Sequence, residues 1–96
     1  MNYELARENR LKAAEAAKNL IDILRPAILN LDEMLQESKE LYVSAINRWG
    51  EAHDNNDEVE KAKADKSCDV WKQAEMEYQS EIEAIKDAIR FAKRLL

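Results

Sequence analysis

Apolar residues in the first half of the chain recur at spacings that alternate between three and four. The pattern runs from Ala14 to Trp49 without a slip, and Ser38 is its only polar member. A repeat of about 3.5 residues is typical of a helix that packs along its length against another helix. These positions, which we call the first seam, are Ala14, Ala17, Ile21, Leu24, Ile28, Leu31, Leu35, Ser38, Tyr42, Ala45 and Trp49.

The second half of the chain repeats this spacing, and Glu75 is the only polar residue in the repeat. Two matching seams in a chain of 96 residues predict an all-α fold. We expect one domain, residues 1–96, built as a long, coiled-coil-like antiparallel hairpin. Its helices of roughly 48 and 39 residues would form a rod about 60 to 70 Å long. The second seam consists of Ala64, Cys68, Trp71, Glu75, Tyr78, Ile82, Ile85, Ile89, Ala92 and Leu96.

The turn between the helices is predicted where polar residues cluster. Gly50 is the only glycine, and it favours a helix end near Trp49 because glycine readily adopts the left-handed conformation. Glu51 to Asn56 form the one obvious polar loop. Asp57, with Glu60 three residues later, is a typical capping pair, so the second helix should begin there.

Pro26 interrupts the first helix and permits two interpretations. A proline inside a helix removes one hydrogen bond, so the chain could break there and form three helices. Alternatively, the helix continues with a kink. We favour the kink, because the seam passes Pro26 in phase and Pro26 falls on the opposite side of the helix.

Apolar residues also occupy the positions directly before seam residues, which widens the apolar face. In the first helix this extra row contains Leu20, Met34 and Leu41. One partner helix covers only a narrow stripe, so a wider face needs a second neighbour. We therefore predict a homodimer, or a heterodimer with another helical protein, that completes a four-helix bundle.

Charge is distributed unevenly. The net charge is -5 overall, +1 for residues 1–25 and -6 for residues 26–58, which include the turn. A hairpin brings both chain ends together, so its open end should be basic and its turn end acidic. This asymmetry would favour antiparallel assembly, in which acidic ends meet basic ends. The acidic balance makes nucleic acid an unfavourable partner, because phosphate binding needs a concentrated basic face.

Targeting signals and membrane spans are not predicted. Charged residues in the first eleven positions interrupt any apolar signal-peptide core. No apolar run approaches the roughly 20 residues that cross a bilayer. We expect a cytoplasmic protein, or one secreted without a cleaved signal peptide.

No catalytic, metal or cofactor site is predicted. The only histidine, His53, lies in the expected loop, so the Glu-x-x-His pairs of di-metal bundles are missing. Asp54 to Asp57 lack the glycine and the closing glutamate of a calcium loop. Cys68 lies on an apolar seam, where a small buried hydrophobe is the usual interpretation.

Three further residues are candidates for partner binding. Trp49 and Trp71 lie on the seams, and tryptophan is common both in cores and at interface hot spots. Glu75 interrupts the second seam, and an isolated polar residue there sometimes fixes register or partner choice. The predicted partner-binding residues are Leu20, Met34, Leu41, Trp49, Trp71 and Glu75.

The predicted architecture of the chain, with Trp49-Gly50 at its middle, resembles that of the Trp-X-Gly, early secreted antigen-like family of type VII secretion. That family has about one hundred residues, no cleaved signal, and a helical hairpin that pairs into four-helix bundles. This chain lacks the residue between Trp and Gly. It also lacks the carboxy-terminal aromatic followed four places later by an acid, because Phe91 precedes Leu95 at that spacing. The resemblance implies a secretion substrate or partner protein.

Two classes of function remain after these observations. The first is a non-enzymatic interaction module, such as a secretion partner or a small phage or mobile-element inhibitor that binds a host protein. The second is a nucleic-acid-binding hairpin dimer, which only the basic open end supports. An enzyme ranks last because no nucleophile or acid–base set is recognisable.

Overall fold

The computed structural model describes residues 2–96, which form two helices joined by a short turn. Helix α1 spans Tyr3–Asp54 and helix α2 spans Glu58–Lys93. The helices run antiparallel as an extended hairpin, and the described residues contain no strand. The predicted all-α hairpin is confirmed.

The two predicted seams form the interface between the helices. Every residue of the first seam is buried or half-buried, and so is every residue of the second except the terminal Leu96. Near the open end, Ala17 and Ile21 share one apolar cluster with Ile89 and Ala92. Among residues 2–96, five of the nine buried apolar residues are alanines, so this interface is narrow and its core is thin.

The end of α1 differs from the prediction. The helix continues through Gly50 to Asp54, so the first four residues of the expected loop are helical. Gly50 has no positive φ, and Asn56, with φ of 54°, adopts the left-handed conformation instead. Asparagine tolerates that conformation better than most residues. Asp57 caps α2 as predicted, since its carboxylate accepts a hydrogen bond from the backbone N–H of Glu60 at 3.2 Å.

Pro26 lies inside α1, which continues on both sides of it. The alternative of a break into three helices is therefore wrong. Pro26 is exposed, on the side of α1 away from α2. The carbonyl four residues earlier, at the exposed Asp22, loses its helical donor there, so the loss falls on the solvent side.

The start of α1 extends beyond α2. Asn2 caps the helix, because its side-chain oxygen accepts a hydrogen bond from the N–H of Leu5 at 3.1 Å. Helix α1 has 52 residues and α2 has 36. Since Ala17 already packs in the cluster that contains Ala92, residues 3–12 have no α2 residue beside them. We call residues 3–12 the α1 extension, and with it the hairpin reaches 78 Å, longer than predicted.

Candidate interaction surface

The hairpin has two long flanks, and residues directly after seam positions share one of them. A cleft of about 300 Å³ brings Ile46 of α1 beside Asp65 and Lys72 of α2. Farther along the same flank, Arg25 of α1 lines a cleft with Lys86 of α2. Each of these residues directly follows a seam residue. We call this side the charged flank.

Residues directly before seam positions lie on the opposite side, because the helical repeat places them across the seam. Three large side chains there are nearly half exposed: Leu20 at 43%, Met34 at 43% and Leu95 at 48%. Two rows on this side repeat every seven residues, from Ala13 to Leu41 in α1 and from Ser67 to Leu95 in α2, and Glu81 is their only charged residue. We call these two rows the apolar flank, and their apolar members are Ala13, Leu20, Ala27, Met34, Leu41, Ala74, Ala88 and Leu95.

Three of the predicted partner-binding residues belong to the apolar flank, and a fourth, Trp71, borders it. Leu20 and Met34 are exposed there, and Leu41 is half-buried. Trp71 is half-buried on the second seam and lines a shallow hollow together with Ser67, which precedes a seam residue. Leu20, Met34 and Leu41 follow one another along α1 at multiples of seven residues.

Trp49 belongs instead to the charged flank. Its ring stacks on the ring of His53, with centroids 5.1 Å apart and planes 6° from parallel. The Nζ atom of Lys61 lies 5.1 Å from the centroid of the Trp49 ring, close enough for a cation–π contact. Because Lys61 belongs to α2, this contact joins the two helices next to the turn. Trp49 therefore has a role within the hairpin itself.

Glu75 also turns toward the charged flank. Its side chain is 23% exposed, and a carboxylate oxygen lies 3.9 Å from Nζ of Lys72. Lys72 directly follows a seam residue, so it marks the direction in which Glu75 points. The glutamate thus reaches solvent and a cation from the edge of the seam, away from the apolar flank.

Ser38, the polar member of the first seam, is satisfied inside its own helix. Its hydroxyl donates a hydrogen bond of 2.9 Å to the carbonyl oxygen of Met34. In the described part of the chain, no buried side-chain nitrogen or oxygen lacks a hydrogen-bond partner. Ser38 therefore fits the seam without needing a polar group on α2.

The cleft of about 300 Å³ on the charged flank is lined by Tyr42 and Trp49 of α1 and by Asp65, Cys68 and Lys72 of α2, among others. The thiol of Cys68 has no histidine beside it in this lining. Among residues 2–96, no three His, Cys, Asp or Glu side chains are grouped to hold a metal ion. No helix in that range has the length and apolar character needed to cross a membrane.

We compared the chain with protein-family models, with curated proteins and with solved structures, and none of the three comparisons gives a match. The resemblance to the Trp-X-Gly family therefore stays a prediction. The structure places Trp49-Gly50 inside α1, before the turn. In this chain the dipeptide lies inside the helix and does not form the turn.

Proposed function

We propose that this chain is a non-enzymatic protein–protein interaction module whose apolar flank binds a second helical hairpin. The partner is another copy of the chain or a similar hairpin, and the product is a four-helix bundle. The observation that carries this proposal is the apolar flank, where Leu20, Met34 and Leu95 are nearly half exposed along one side of the rod.

The shape of the hairpin favours packing against a second layer of helices. The rod measures 78 × 19 × 13 Å, so its thickness is about that of one helix with its side chains. Stable domains usually bury apolar faces between two packed layers. A single layer of two helices leaves each outer row without a neighbour, and a second hairpin supplies that layer.

The exposed area supports the same arrangement. The chain exposes 7487 Å², whereas a compact monomer of its mass exposes roughly 5,700 Å². The excess of about 1,800 Å² per chain is more than the roughly 800 Å² per partner of a standard stable interface. Association along the apolar flank would remove part of this excess from water.

A nucleic-acid-binding hairpin is supported less well. The formal net charge is -5, and the flank proposed as the interface exposes apolar side chains. Phosphate binding requires Lys and Arg side chains concentrated on one face. The exposed surface therefore favours a protein partner.

The mass in solution tests the proposal. In sedimentation equilibrium at micromolar concentration, we expect the purified chain to have twice the 11.1 kDa mass of one copy. If the native partner is a different hairpin, the purified chain should be poorly folded until that partner is added. A cooperatively folded, stable species of 11.1 kDa would contradict both versions.

A matched pair of substitutions locates the interface. Leu20→Glu puts a charge on the apolar flank, and Asn19→Glu puts the same charge on the neighbouring exposed residue. Burying a Leu side chain contributes roughly 1.5 to 3 kcal/mol, so Leu20→Glu should raise the dissociation constant at least about tenfold. Leu41→Glu should act in the same way. Asn19→Glu should leave the constant nearly unchanged, and equal effects at both positions would exclude this flank as the interface.

A further inference from the structure

The α1 extension is a helix without a neighbour. It begins at the Asn2 cap and joins the paired part of α1 near Ala13. All of its residues are exposed except the half-buried Ala6, and Tyr3 is 79% exposed. Because it only lengthens an existing helix, it needs no new nucleation step. A segment of this kind is available to another chain.

The extension continues the seam with different chemistry. Counting back from Ala14 by four, three and four residues gives Arg10, Arg7 and Tyr3. The face that elsewhere packs on α2 therefore carries two guanidinium groups and one aromatic ring. Among the described residues, neither Arg7 nor Arg10 forms an ion pair within the chain. We call Arg7 and Arg10 the extension arginines.

The opposite end of the rod carries free carboxylates. Glu51 and Asp54 near the end of α1, and Glu58 at the start of α2, are all exposed. In residues 2–96, none of the three forms an ion pair. We call them the turn-end carboxylates. They carry the charge opposite to that of the extension arginines, at the far end of the same molecule.

The apolar flank of α1 is nearly symmetric about Ala27. Seven residues away on either side lie Leu20 and Met34, which are both large, and fourteen residues away lie Ala13 and Leu41. A two-fold axis through Ala27 that reverses the rod places Leu20 against Met34 of a second copy. It also places the small Ala13 against the large Leu41. Such self-complementarity is what a two-fold interface requires.

We infer that the α1 extension binds the turn end of a second copy, so that the two hairpins pack antiparallel. The two-fold axis through Ala27 lays residues 3–12 of one copy along residues 42–51 of the other. The extension arginines then lie beside the turn end that bears the turn-end carboxylates, and the contact occurs twice in each dimer. This inference rests on the proposed function, because it specifies how the second hairpin is oriented.

Charge along the rod favours this orientation over the parallel one. Residues 26–58, which include the turn, carry a net charge of -6, whereas residues 1–25 carry +1. Parallel packing sets the acidic turn ends against each other and also sets the extension arginines of the two copies against each other. Antiparallel packing sets each acidic end against the extension arginines. Complementary charge of this kind fixes orientation more than it adds affinity.

Energy transfer between labelled copies tests the orientation. Single cysteines replace Asn55 at the turn or Glu4 in the extension, in full-length chains that also carry Cys68→Ser. We expect strong transfer from a donor at Asn55 to an acceptor at Glu4 of the other copy. Two labels at Asn55 should give almost none, because antiparallel packing holds the turns about 75 Å or more apart. Samples that contain only donor-labelled chains, or only acceptor-labelled chains, serve as controls.

The three outcomes separate the two proposals. Strong transfer between two Asn55 labels would indicate a parallel dimer and overturn this inference, while the proposed function would stand. A folded monomer without transfer would overturn both. Strong transfer between Asn55 and Glu4 would support both.

A charge exchange tests the contact itself. Arg7→Glu with Arg10→Glu should raise the dissociation constant roughly tenfold at low salt, and added salt should reduce the difference. Mixing that variant with Glu51→Lys, Glu58→Lys should restore the original affinity, because both contacts then regain opposite charges. The matched control, Arg25→Glu with Lys86→Glu on the charged flank, makes the same change in net charge and should have little effect. An unchanged constant for the arginine variant, or an equal loss in the control, would overturn the contact.

Discussion

Gly50 is a glycine in the interior of a helix, where its conformational freedom brings no benefit. Its φ is not positive, and a methyl group added to it would meet nothing within 4 Å. Glycine costs about 0.5 to 1 kcal/mol relative to alanine at such a position. We therefore expect Gly50→Ala to raise the free energy of unfolding by about that amount, measured by thermal or urea unfolding at fixed protein concentration.

Asn56 provides the contrasting control. Its φ of 54° is the left-handed conformation that alanine adopts only at a cost of about 1 to 2 kcal/mol. Asn56→Ala should therefore lower the stability by about 1 kcal/mol, and Asn56→Gly should not. If Gly50→Ala also lowered the stability, Gly50 would have a role that its open surroundings do not show.

At the scale of the helix, Pro26 is the main local defect. It removes one backbone hydrogen bond from α1 while its side chain stays exposed. We expect Pro26→Ala to raise the free energy of unfolding by up to about 3 kcal/mol. Pro26→Gly restores the backbone N–H but introduces the conformational cost of glycine in a helix. The stability of this variant should therefore fall between that of the original chain and that of Pro26→Ala. A less stable alanine variant would show that a bend at Pro26 sets the geometry of the seam.

The identity of the helices could be predicted from the sequence because the two seams alternate regularly and Asp57 gives a clear capping signal. The end of α1 could not be predicted from Gly50 alone. Ala52 lies three residues after Trp49, extends the first seam by one step, and is buried. That continuation outweighs the glycine, because a helix that can still bury a seam residue gains from running on. Ala52 is the residue in the sequence that indicates the longer helix.

For the whole molecule, a substitution at Glu75 should change the stability without changing the choice of partner. Its carboxylate already reaches Lys72 on the charged flank, away from the apolar flank. We expect Glu75→Leu to raise the melting temperature, because the seam gains an apolar side chain. The mass in sedimentation equilibrium should stay the same. A mixture of oligomers for this variant would instead show that Glu75 fixes register or partner choice.

The candidate surface could be predicted only in part. The extra row of Leu20, Met34 and Leu41 is visible in the sequence. Its counterpart in α2, at Ala74, Ala88 and Leu95, is visible in the sequence as well. The flank toward which Trp49 and Glu75 point could not be predicted from the sequence, because contacts with residues of α2 decide the direction of their side chains. The α1 extension was missed because seam positions 7 and 10 are arginines, so the apolar repeat stops at Ala14.

The turn has a consequence for how the chain can exchange partners. Asn56 is the only described non-glycine residue with a positive φ, and Asp57 after it is extended, with φ of -91° and ψ of 90°. If both residues became right-handed helical, α1 and α2 would join into a single helix of about 90 residues, roughly 135 Å long. Each seam could then pack only against the seam of another chain lying alongside. The same contacts would thus hold together a domain-swapped dimer, and two residues in the turn decide between folding back and exchanging helices.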